Sequence, residues 1–198
     1  LSTVMFWTAV FSCLLMVYAL AFWLPKLMSI AGYGLSSSLA FLMVLNLGAI
    51  VGAIGGGWLA DRTSLRAVLG GFFGIAAVSL VLLGFDSPVW VIYGLVGIAG
   101  ATTVGSQTLL YAYAAQFYPT AMRSTGVGWA SGIGRNGAII GPMVGGALLA
   151  LALPHSLNFA VLAVPSLIAA AAVLSVNRRI GAMTGAATSP SPATAAGR

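Results

Sequence analysis

Acidic side chains are almost missing from this chain, whose 198 residues include two Asp or Glu, one His and one Cys. Charged residues of both signs make up 5%, where a soluble domain carries roughly 25%. Such scarcity excludes water as the main solvent. The lone cysteine, Cys13, permits neither an intrachain disulfide nor a multi-cysteine metal site, and reads as a small packing residue inside an apolar run. There is no nucleophile beside a base, no metal cluster and no phosphate-cradling loop, so nothing marks an enzyme and no cofactor or metal is expected. The net charge of +6 does not read as a nucleic-acid surface, because six of the eight basic residues lie at the edges of apolar runs. The positive-inside rule of membrane proteins accounts for them better.

What the chain has instead is apolar length. Hydrophobic residues make up 60% and the mean hydropathy is +1.06. Six runs stand out, at 3–24, 39–59, 67–85, 89–117, 127–153 and 157–176. At about 20 apolar residues per span, the length holds six spans and no extramembrane domain. Lipid offers no partner for a free backbone N–H, and the period-two alternation of a membrane barrel is absent, so every span must be helical. The expected fold is an all-α, polytopic membrane helix bundle of six transmembrane helices. Residues 1–85 supply one triplet and 86–179 another of opposite topology, as in inverted repeats. Residues 180–198, rich in Gly, Ala, Thr, Ser and Pro, read as a disordered cytoplasmic tail.

The first run has no basic flank and no cleavage pattern, and reads as a span rather than a signal peptide. Because the chain opens at Leu1 within apolar sequence, it reads as a fragment. Asp86, Ser87 and Pro88 read as a cap with proline in a first helical turn, and Pro154, His155 and Ser156 as a similar start. Alternating connections place Arg62, Arg66, Arg123, Arg178, Arg179 and Arg198 on one side against Lys26 on the other. Both termini are then cytoplasmic, in a plasma or inner membrane.

Small residues recur every fourth position at Gly48, Gly52 and Gly56, at Gly97, Ala101 and Gly105, and at Gly137, Gly141 and Gly145. Each stripe lets another helix approach closely, and intramolecular packing is favoured over dimerisation. Pro142 and Pro165 fall inside helices and predict kinks or loosened turns.

Arg135 is the leading functional candidate. A cation inside an apolar helix costs at least about 2.5 kcal/mol and rarely occurs without a partner. Counted from a helix start near 124–127, it lies roughly 12–16 Å deep. No acid occurs inside any run, so either an anionic guest or a group from sequence beyond this chain should meet it; helix carbonyls or Asn136 are the structural alternative. On a helical wheel Arg135 shares a side with Gly128, Ser131, Gly132, Ile139 and Pro142, opposite the Gly137 stripe. Gln107 lies at a similar depth, and either joins the same ligand or bonds between helices. Tyr111 and Asn46 follow as weaker substrate-binding candidates. A fork of guanidinium donors suits a carboxylate, and aromatic neighbours suit a benzene ring.

Two connections carry patterned residues. Gly57, Asp61, Arg62 and Arg66 resemble the loop signature of the major facilitator superfamily, and Pro119, Thr120, Arg123 and Gly126 are similar to its Pro-Thr-x-x-Arg-x-x-Gly element. Anchoring of topology alone is the plainer alternative. The Glu often found upstream of the second element is Gln116 here, so a charge relay to Arg123 lacks its acid. With 132–142 and with Phe22, Trp23, Leu24 and Pro25, the chain looks like the aromatic acid:proton symporters of that superfamily. That resemblance implies the carboxyl-terminal six-helix half of a twelve-helix transporter, with Asp61, Arg123 and Arg135 at functionally important positions. It implies as partners a bilayer, a small aromatic carboxylate, a proton and a missing amino-terminal half or partner chain. Since Asp61 and Asp86 are read as lying in connections, and His155 as a solvated loop residue, the proton-coupling group is expected elsewhere. An exporter or carrier of another metabolite, and a truncated membrane protein with a structural or assembly role, remain the alternatives.

Overall fold

The computed structural model describes residues 2–30, 32, 34–85, 87–118, 120–151 and 154–176. Asp86, Pro119, Arg178, Arg179, Arg198 and the expected tail 180–198 lie outside the described residues. Six helices follow one another: α1 (Ser2–Ile30), α2 (Leu35–Arg62), α3 (Leu65–Leu83), α4 (Val89–Phe117), α5 (Arg123–Ala150) and α6 (His155–Ser175), with a 3-10 turn at Thr120–Met122 before α5. No strand occurs among the described residues.

Several boundaries differ from those read in the sequence. Pro25 does not end α1, which continues for another turn and more. Proline's fixed φ suits a helix, and the buried Leu24, Leu27 and Met28 hold the continuation against the core. Pro88 sits at the N-cap of α4 rather than in its first turn. Asp61 belongs to the last turn of α2, not to a connection. His155 opens α6 rather than lying in a loop. Ser64 caps α3, its hydroxyl accepting from the Ala67 N–H at 3.3 Å.

The glycine stripes set the packing. A Cβ at Gly48 would collide with the Gly97 backbone, and one at Gly52 with Ala101, while Gly56 faces Leu109. Residue numbers rise together on both helices, so α2 and α4 run parallel at backbone contact. Gly137 faces Phe11 and Leu15, Gly141 faces Leu15 and Ala19, and Gly145 faces Trp23, so α5 runs parallel to α1. By contrast Gly70 meets Leu174 and Gly84 meets Ser156, which makes α3 and α6 antiparallel. These directions are what six alternating crossings demand. All three stripes are spent on contacts within the chain, as close approach in lipid requires.

Five helices, all but α5, are long and apolar enough to cross a membrane. α5 is diluted by glycine and by Arg123, Arg135 and Asn136, yet it is only one residue shorter than α1 and lies beside it in the same direction. The remaining main pairings are α1 with α6 and α3 with α4. Exchanging the first three helices for the last three maps α2–α4 onto α5–α1 and α1–α6 onto α4–α3, the pattern two inverted triplets produce. The buried core runs along α1, whose Phe6, Val10, Cys13, Leu14, Met16, Leu20 and Leu24 are all enclosed.

Candidate substrate site

Packing on one face of α5 frees the other. Gly134, Gly137, Gly141 and Gly145 are buried against α1, which turns Arg135 away into an opening where it is exposed. The cavity there measures about 610 Å³ and is lined by Leu14 and Tyr18 of α1, Gln107 and Tyr111 of α4, and Ser131, Arg135, Ala138 and Ile139 of α5. The volume falls within the range of small-molecule pockets.

Register explains the meeting. α4 runs opposite to α1, with Cys13 beside Thr103 and Phe6 beside Tyr113. Interpolation along both pairs puts Gln107 level with Arg135, and Tyr111 about one turn, or ~6 Å, nearer the α5 N-terminus. Arg135 is 12 residues into α5, hence about 18 Å from its start. Among the described residues no ion pair or hydrogen bond engages its guanidinium. Asn136 does not serve it, since the Asn136 amide donates to the carbonyl oxygens of Gly132 (3.1 Å) and Ile133 (3.5 Å). Helix carbonyls do not occupy it either. Five donors in a planar fork therefore face the cavity unpaired.

Asn46 is not in this lining. The α2–α4 register places it about 15 Å from the level of Gln107, and its amide donates back to the Leu42 carbonyl at 2.8 Å. Tyr18, conversely, was not singled out from the sequence. A tyrosine in the middle of an apolar run, away from the headgroup levels that collect aromatics, was the available signal.

The loop residues gather at one end of the bundle. A second cavity, about 620 Å³, is lined by Gly57, Asp61, Thr63 and Ser64 on one side and by Tyr113, Gln116 and Phe117 on the other. It presents a carboxylate and no basic side chain, which suits an anion poorly. Arg62 stacks over the Trp58 ring at 4.0 Å, and Arg66 lies in the first turn of α3. Arg123 is exposed as the first residue of α5, where the helix dipole disfavours a cation. Helix stability does not explain Arg66 or Arg123. Tyr118 lays its ring where a Cβ on Gly126 would stand, so this motif glycine admits an aromatic side chain. Burial holds the Tyr118 phenol above its ordinary value.

The family model described as Major Facilitator Superfamily matches residues 7–193. The chain belongs to the major facilitator superfamily. Among its superfamily relatives, the benzoate transport protein of Acinetobacter baylyi is 49% identical over 178 residues, covering 90% of this chain and 38% of that protein. The gentisate transporter of Corynebacterium glutamicum is 40% identical over 173 residues, covering 86% and 38%. A 4-hydroxybenzoate transporter of Pseudomonas putida is 36% identical over 175 residues, covering 88% and 39%. The chain thus spans about two fifths of the length of these relatives. Membership agrees with the resemblance read from the loop motifs and with the all-helical polytopic fold.

Proposed function

We propose that this chain forms the carboxyl-terminal six-helix half of a secondary transporter that takes up an aromatic carboxylate together with a proton. The Arg135 guanidinium, unpaired among the described residues and at mid-helix depth in a cavity of ligand size, carries the reading. A carboxylate satisfies two of its donors at once, and the low dielectric around it strengthens that pairing. Tyr18 and Tyr111 supply aromatic surface beside it. The relatives named for benzoate, gentisate and 4-hydroxybenzoate point to the same chemistry.

In this reading 1–85 and 86–179 are the two triplets, and the Arg62, Arg66 and Arg123 end faces the cytoplasm of a plasma or inner membrane, opposite Lys26. A second six-helix half, supplied by further sequence or a partner chain, closes the cavity and brings the coupling carboxylates. Asp61 lines the other cavity, beside Gln116, and not the Arg135 cavity, which makes it unsuited to that task. Rocking of the two halves about the site then alternates its access.

The test is uptake of benzoate-type acids by cells expressing the full gene product with Arg135→Ala or Arg135→Lys, corrected for membrane abundance. Ala should lose uptake by more than about tenfold, and Lys, a point charge without the fork, should recover only part of it. Near-normal uptake by both variants overturns the assignment.

A further inference from the structure

Resting on that reading, we infer that Tyr18 sets substrate preference: its phenol meets the end of the aromatic ring remote from the carboxylate and favours acids that carry a hydrogen-bonding group there. Three observations carry this. Tyr18 shares the cavity with Arg135, is 45% exposed, and has no hydrogen-bond partner among the described residues. The α1–α5 register sets it level with the turn around Gly141, about 10 Å beyond Arg135 along the bundle. One benzene ring with a polar group at each end spans that interval once hydrogen bonds are added at both ends. The lining between those two levels is Leu14, Ala138 and Ile139, which offer the ring apolar contact and no competing donor.

Gln107 and Ser131 are placed differently. Gln107 stands level with Arg135, and Ser131 one turn along α5 on the other side from Tyr18. Both therefore address the carboxylate end. Discrimination between ring substituents falls to Tyr18, because a polar group built to meet a hydroxyl is left unpaired by a substrate that lacks one.

The experiment compares initial uptake of benzoate, 2-hydroxybenzoate and 4-hydroxybenzoate by the full gene product and by its Tyr18→Phe variant at matched membrane abundance. The ring of Phe keeps the packing and removes only the hydroxyl. Expected is a fall of about tenfold in 4-hydroxybenzoate uptake relative to benzoate. Uptake of 2-hydroxybenzoate should follow benzoate, because its hydroxyl lies beside the carboxylate at the Arg135 end. An unchanged ratio, or an equal loss for all three acids, overturns the role of Tyr18 and leaves the transporter reading standing. Absence of uptake of every acid by the unaltered protein overturns that reading, and the inference with it.

Discussion

The indole Nε1 of Trp23 donates a 2.7 Å hydrogen bond to the carbonyl oxygen of Pro142, while its ring lies where a side chain on Gly145 would be. One residue of α1 thus clamps α5 where Pro142 has removed a backbone donor from the helix. The contact sits just beyond the Arg135 cavity and holds its two parallel walls in register.

Trp23→Phe keeps an aromatic ring on Gly145 and removes the bond to Pro142. We expect a loss of roughly 0.5–1.5 kcal/mol, read as a lowered midpoint of thermal unfolding in detergent. An unchanged midpoint would show that the bond adds nothing to the pairing.

Gly52→Val should collapse the membrane abundance of the protein. Its side chain would meet the Ala101 backbone, which cannot swing aside as a side chain can, and overpacking of this kind costs about 1–3 kcal/mol or more. Gly55→Ala, three residues away, meets open space and should leave abundance near normal. Equal behaviour of the two variants would contradict the parallel α2–α4 contact.

Gly126 and Tyr118 should be coupled. Gly126→Ala alone intrudes on the phenol ring and destabilises the α4–α5 turn; with Tyr118→Ala the space opens and much of the loss is relieved. A double-mutant cycle on unfolding should give a coupling of roughly 0.5–3 kcal/mol. Strict additivity would mean that the glycine serves some other purpose.

Gln107→Leu should raise the KM for benzoate uptake severalfold with little change in maximal rate, in line with the loss of a hydrogen bond worth about 1 kcal/mol. An unaltered KM would place Gln107 in the wall of the cavity but not in contact with the substrate.

Much of this was legible in the residues. Lipid leaves the backbone one solution, so apolar runs of the right length become helices, and α4 occupies the same residues as its run. The four-residue spacing of Gly137, Gly141 and Gly145 also determined which face of α5 is hidden, and so which way Arg135 turns. Harder to read was anything that depends on how two helices slide past each other. Gln107 and Asn46 look alike as polar residues within apolar runs, but the α2–α4 offset carries Asn46 well away from the cavity level. Tyr18 escaped for the same reason, since its partner surface is set by contacts between residues more than a hundred positions apart. Pro25 misled because the buried Leu27 and Met28 hold α1 together beyond it.

Neither α3 nor α6 contributes a side chain to the Arg135 cavity, and the two lie against each other in opposite directions. For anyone altering this protein, that divides the labour. In the proposed reading, libraries aimed at new cargo belong on α1, α4 and α5, whereas stabilising changes, labels and attachment points can be placed on the outward faces of α3 and α6 with the binding cavity left untouched.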